Sequence, residues 1–211
     1  MKNLIIIGAG GMGRTYYSNA LQCKGYGTTF IIKGFIDDNL NALDRYPNYP
    51  PIIDQITEYT PEDGDVFVCS IGGVKRKDCI DKIISKGGEF IELIHKDAKL
   101  LTNVKLGKGN FIGAYTIIGN DVSIGNYNMI QSFTVIGHDA IIGDYNRIDS
   151  HVTCVGGIKI QDEVTIHTGA VINHNVTLEH NSKIGANSFV IRKVKEGETV
   201  LGVPAKRIDL T

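Results

Sequence analysis

Apolar residues recur along this chain with two different rhythms. Up to about residue 95 they come in short runs: "NLIIIG" (3–8), "TFIIKGFIDD" (29–38), "DVFVCSIG" (65–72) and "EFIELI" (89–94). Each run is brief and rich in β-branched residues, which predicts a buried strand. Residues 11–23 and 75–86, between the runs, read as helices. Strands alternating with helices predict a parallel sheet with crossover helices. Residues 1–95 are therefore expected to form a small α/β domain built from βαβ units and Rossmann-like in type. That length is short for a complete dinucleotide fold, which needs two mononucleotide-binding halves.

The second rhythm has a period of six. Leu106, Ile112, Ile118, Ile124, Ile130, Ile136, Ile142, Ile148, Cys154, Ile160, Ile166, Ile172, Leu178, Ile184 and Val190 follow one another without a break in phase. Glycine comes next at 107, 113, 119, 125, 137, 143 and 185. Four positions after the apolar residue stands a small or β-branched one, as at Thr116, Val122, Thr134, Ala140, Val152, Val164 and Ala170. A sustained hexapeptide period predicts a parallel β-helix, with three hexads per coil and the repeated apolar residue on the axis. Fifteen hexads give five coils, a prism about 24 Å tall at one strand spacing per coil. This domain is expected over residues 96–211.

Composition narrows the function classes. The chain has 211 residues and a formal net charge of -1, which offers no basic surface for nucleic acid. No apolar run reaches 18 residues and no leader precedes the first strand, so no membrane partner is expected and the location is expected to be cytoplasmic. Cys23, Cys69, Cys79 and Cys154 lie in apolar segments without CxxC spacing and read as reduced core thiols.

The chemistry-bearing motifs fall in both halves. After the first strand comes Gly8-x-Gly10-x-x-Gly13, a turn whose glycines would let backbone approach a pyrophosphate at a helix N-terminus. The same physics serves NAD, so this motif does not choose its ligand alone. In the second half, "VIGHDAIIGDY" (135–145) carries His138 followed by Asp139. An imidazole can take a proton near neutral pH, and a carboxylate beside it can hold its tautomer. Residues eighteen apart stack in adjacent coils. Gly156 is therefore expected one coil above His138, leaving open space beside the ring and a backbone N–H for an oxyanion.

The six-residue period and the closing "VLGVPAKRI" (200–208) resemble the hexapeptide-repeat acyltransferases. That resemblance supplies the left hand of the β-helix. The whole arrangement resembles a narrower group, the bacterial sugar acetyltransferases that N-acetylate UDP-4-amino-sugars in bacillosamine synthesis. Relatives acetylate sialic acid hydroxyls or other nucleotide-linked amino sugars. The resemblance implies transfer of acetyl from acetyl-CoA to the amino group of a nucleotide-linked sugar, with O-acetylation of a sugar hydroxyl as the alternative. It implies His138 as general base with Asp139 as its orienting acid. It assigns Gly8, Gly10, Gly13, Asp37 and Asp38 to the nucleotide and Gln131 to the acceptor sugar. Arg147, Gly156 and Lys206 are assigned to acetyl-CoA, Arg147 standing where the group has a histidine. No metal is required. The resemblance further implies a homotrimer whose active sites lie between subunits. A zinc site of carbonic anhydrase type, drawing on His151, His167, His174 and His180, fits poorly. His138 and His174 would stand two coils apart, about 9.5 Å by strand spacing.

Overall fold

A computed structural model describes residues 1–73 and 75–208. The chain divides into two compact units, Met1–Lys96 and Asp97–Thr211.

The first unit runs β1 (Lys2–Ile7), α1 (Gly11–Ala20), β2 (Phe30–Ile36), β3 (Ile52–Asp54), β4 (Asp65–Cys69), α2 (Lys75–Ser85) and β5 (Glu89–Phe90). The sheet order is β3-β2-β1-β4-β5 and every pairing is parallel. Central β1 has Leu4, Ile5, Ile6 and Ile7 fully buried, as a strand covered on both faces requires. Helix α2 buries Arg76, Cys79, Ile80 and Ile83, the spacing of one helical face. Strand order reverses between β1 and β4, so the carboxyl ends of these strands form the crevice where such sheets take ligands.

Several expected boundaries shift. Helix α1 ends at Ala20 rather than Cys23, because Gly25 and Gly27 (φ 89° and 76°) turn the chain back toward β2. Only Glu89–Phe90 of the run 89–94 joins this sheet. Strand β3 was not expected. It is three residues long, lies at the sheet edge and follows Pro50 and Pro51, where apolar periodicity has no length in which to appear.

One charged cluster ties β2 to β4. Lys33 Nζ donates to Glu62 Oε2 (2.6 Å), Tyr59 Oη (2.9 Å) and Asp65 Oδ1 (3.0 Å), and Tyr59 Oη donates to Asp65 Oδ2 (2.5 Å). Burial alone would raise the Asp65 carboxyl, but hydrogen bonds from Tyr59, the Glu62 amide and Lys33 hold it below its ordinary value. Burial and the Asp65 bond push the Tyr59 phenol up to about 12.

The second unit is a left-handed parallel β-helix of three faces. Two-residue strands recur every six residues from Lys99–Leu100 to Phe189–Val190, and through Val171–Ile172 each pairs with the strand eighteen residues on. The first face stacks 99–100, 117–118, 135–136, 153–154, 171–172 and 189–190. The second stacks 105–106 through 177–178, and the third includes 111–112 through 183–184. Expectation and structure differ at the ends. A strand, Lys99–Leu100, stands one hexad before Leu106, and after Val190 the phase breaks. Thr199–Gly202 then extends the third face and turns back as an antiparallel hairpin with Ala205–Ile208.

The corners carry a regularity of their own. Every sixth residue from Asn103 to Asn187 has positive φ, and twelve of these residues are not glycine. Left-handed backbone costs about 1 kcal/mol or more per residue, offset from Asp121 onward because each amide bonds the coil below. Examples are Asp121 N to Thr102 O (2.9 Å) and Asp139 N to Asn120 O (3.0 Å). Inside, Asn110, Asn128 and Asn146 replace the small residue and form a buried ladder, Asn128 N donating to Asn110 Oδ1 (2.9 Å) and Asn146 N to Asn128 Oδ1 (2.8 Å).

Candidate active site

In the first unit the Gly-rich turn is built by contact. A Cβ on Gly13 would lie 2.0 Å from Gly8 O, so α1 can pack on the turn only through glycine. Gly8 has φ 95°. Gly10 is different: nothing lies within 4 Å of its missing Cβ, which leaves room for a ligand. It also N-caps α1 without any side-chain cap. Asp37 Oδ2 accepts from Ala9 N (2.7 Å) and Oδ1 from Asn39 N (2.8 Å), while Asp38 Oδ1 accepts from Ile56 N (3.0 Å). Asp37 thus braces the Gly-rich turn and Asp38 the chain after β3, and both keep lone pairs for other donors. The buried Ser70 hydroxyl, which the sequence reading missed, shares its proton between Ile7 O (2.8 Å) and Gly8 O (3.1 Å). Arg14, also missed, lies over the Tyr46 ring at 3.7 Å from its centroid.

In the second unit His138 and Asp139 stand at the corner between the first and second faces. His138 Nδ1 is 2.6 Å from Asp139 Oδ2, and both side chains are about two-thirds exposed, at 65% and 66%. With the proton on Nδ1 donated to the carboxylate, Nε2 keeps its lone pair for an incoming proton. The expectation of open space over Gly156 needs correction, because the imidazole itself fills it. A Cβ on Gly156 would lie 2.6 Å from both Cε1 and Nε2 of His138. Glycine is required there because the ring lies against it. The backbone N–H of Gly156 has no partner among the described residues.

The remaining expected residues lie elsewhere. Gln131, at the corner between the third and first faces, places Nε2 3.5 Å from Met129 Sδ. Arg147 points from the third face and is held by Asp149, through Nε to Oδ1 (2.7 Å) and Nη2 to Oδ2 (3.1 Å). His167 Nδ1 reaches the same Oδ2 at 3.2 Å. Lys206 is exposed, opposite Leu201 in the closing hairpin. Asp149 was missed, although a signal existed. From residue 107 to 149 glycine follows the repeated apolar residue in every hexad except at Gln131 and Asp149. The four cysteines are free and buried, and burial pushes the thiols of Cys23 and Cys154 up to about 12. Among the described residues no group of three or more His, Cys, Asp or Glu is placed to hold a metal ion. Nor is any described helix long and apolar enough to cross a membrane.

Residues 3–83 match the PglD N-terminal domain, and residues 116–156 and 157–192 match the bacterial transferase hexapeptide repeats. The chain joins a PglD-type N-terminal domain to a hexapeptide-repeat domain. No curated protein matches its sequence. Solved structures share the fold over the whole length. The acetyltransferase domain of PglB from Neisseria gonorrhoeae FA1090 is 22% identical with a TM-score of 0.88, covering 99% of this chain and 100% of that one. PerB from Caulobacter crescentus, solved in complex with CoA and GDP-perosamine, is 23% identical with a TM-score of 0.87, covering 99% and 98%. WeeI from Acinetobacter baumannii AYE is 24% identical with a TM-score of 0.85, covering 99% and 100%. The crevice residues Gly8, Gly10, Gly13, Asp37 and Asp38 fall within the matched PglD-type segment, and His138, Asp139, Arg147 and Gly156 within the matched hexapeptide segment.

Proposed function

We propose that this protein transfers an acetyl group from acetyl-CoA to the amino group of a nucleotide-linked sugar in the cytoplasm. The observation that carries the reading is the exposed His138 imidazole, oriented by Asp139 at 2.6 Å and seated on Gly156. His138 Nε2 takes the proton of the attacking amine, and Asp139 stabilises the imidazolium that forms. The free N–H of Gly156 donates to the developing oxyanion. The open Gly10 and the uncapped start of α1 hold the pyrophosphate, and Asp37 and Asp38 take donors of the ribose or base. Complexes of similar fold lend support: PerB was solved with CoA and GDP-perosamine, and the PglB domain with acetyl-CoA.

A homotrimer follows from the same reading. His138 lies at one edge of the first face, and Gln131 and Asp149 lie at the other edge. Around a threefold axis with first faces inward, each edge meets the opposite edge of the next copy. The row that would face the axis includes exposed Ile117 and Val135, flanked by Tyr115 and Phe133, which are 57% and 50% exposed. Apolar surface of this kind marks an interface. Gln131 of one copy then reaches the acceptor beside His138 of the next, with Arg147 and Lys206 on the CoA side.

The test is release of free CoA from acetyl-CoA, read with a thiol reagent. The acceptors are UDP-, dTDP- and GDP-linked 4-amino-sugars, with CMP-sialic acid and sialic acid alongside. Turnover with an amino-sugar nucleotide is expected. Turnover with a sialic acid alone would replace N-acetylation by O-acetylation, and silence across the panel would overturn the reading.

A further inference from the structure

The Arg147–Asp149–His167 cluster has a property that Arg147 alone lacks. The Asp149 side chain is 9% exposed, and its two oxygens accept the paired N–H groups of Arg147 at 2.7 and 3.1 Å. A guanidinium bound in this way is fixed in plane and direction. Its charge is balanced by the carboxylate beside it, so the pair is a weak ligand for a phosphate. Of the five N–H groups of arginine, two are engaged by Asp149. The others form an oriented edge on a side chain that is 32% exposed. His167, on the coil above, lies 3.2 Å from Oδ2, the same oxygen that accepts from Arg147 Nη2.

We propose that Asp149 is a positioning residue that converts Arg147 from a phosphate clamp into a fixed, charge-balanced donor to a neutral oxygen of a substrate. In an acyl-transfer site such oxygens come from two sources: the thioester or pantetheine carbonyls of the donor, and the hydroxyls of the sugar. Both present the same chemistry, a carbonyl or hydroxyl acceptor for a planar N–H fork. His167 contacts the Oδ2 that Arg147 Nη2 also uses and helps hold the carboxylate in place. This inference rests on the acetyl-transfer reading and, of the two parts of CoA that Arg147 could meet, pyrophosphate or pantetheine, favours the one without phosphate.

The experiment compares Asp149→Asn, Arg147→Lys and the double variant on two donors, acetyl-CoA and S-acetylpantetheine, which has no phosphate. Each single variant is expected to lower kcat/KM on the order of 10- to 100-fold, the scale of a misplaced binding group. The double variant should lose no more than the worse single one. The fold-loss should be the same on both donors. A rise in KM for the donor assigns the oxygen to the thioester arm, and a rise for the acceptor assigns it to the sugar. A loss that disappears on S-acetylpantetheine overturns the proposal in favour of a phosphate contact. So do additive losses, or wild-type kcat/KM in both single variants. Should Asp149→Asn fail to fold, Arg147→Lys on the two donors still decides between neutral oxygen and phosphate. A wild-type protein silent toward every acceptor overturns the acetyl-transfer reading itself. Active wild type with unaffected variants overturns only this inference.

Discussion

The Gly-rich turn and the His138 corner both depend on glycine, but in opposite ways. In the turn, Gly13 exists so that helix α1 can rest on the backbone of Gly8. At the corner, Gly156 exists so that a side chain, the His138 ring, can rest on backbone. The first contact holds the fold together, and the second presents an imidazole two-thirds exposed to solvent. Stability and chemistry are therefore separable in the β-helix corner and joined in the α/β turn. That separation follows from repetition. Each coil is supported by its neighbours through the same backbone bonds, so an outward corner residue can change without disturbing the stack.

The largest effect tests the separation directly. His138→Ala should lower turnover by about 10²- to 10⁴-fold while leaving the thermal midpoint and oligomeric state unchanged. Wild-type turnover would remove His138 from the chemistry, and a large fall in the midpoint would remove the separation. Next comes the opposite case, where stability alone should move. Asp65→Asn breaks a buried ion-pair cluster and should destabilise the first unit by about 3 kcal/mol. Hydrogen exchange on peptides of that unit reads this, with peptides of residues 99–190 unaffected. Its pH dependence has a defined sign. The folded Asp65 carboxyl lies below its ordinary 3.8, so its contribution is fully present above that pH and fades as pH falls through the folded value. The variant should therefore show a flatter acid limb than wild type.

A finer contrast sets one glycine against the other. Gly13→Ala should cost about 1–3 kcal/mol of stability, since the clash is with backbone. Gly156→Ala should cost less stability but lower kcat by about 10-fold or more, because the imidazole must move from its seat. Equal stability losses in the two variants would erase the distinction. The smallest effect is expected from the double variant Asp37→Ala, Asp38→Ala, which should raise the KM for the nucleotide-linked acceptor several-fold and spare the Kd for CoA. An unchanged acceptor KM would leave both carboxylates as loop braces only.

The residues missed by sequence reading share a cause. Strand β3 is too short for a period, and Ser70 and Asp65 act through contacts with residues more than sixty positions away or through a burial that composition does not reveal. Asp149 was visible as a break in the glycine rule, but its partners were not. Arg147 is two positions before it and His167 eighteen after it, and only coil stacking brings all three together.

The period of six pointed to the architecture of the second half, because a hexapeptide period sustained without a break in phase is the signature of a β-helix with three hexads per coil. The strand-and-helix alternation settled the first half in the same way. The pairing of His138 with Asp139 was also legible, since adjacent residues need no fold to meet. Tertiary structure alone decided that the ring covers Gly156, that His167 meets Asp149, and that Asp37 braces the Gly-rich turn. Each of these depends on distances between coils or strands. Those distances are fixed by packing and backbone hydrogen bonds across the whole unit and have no local signature in the chain.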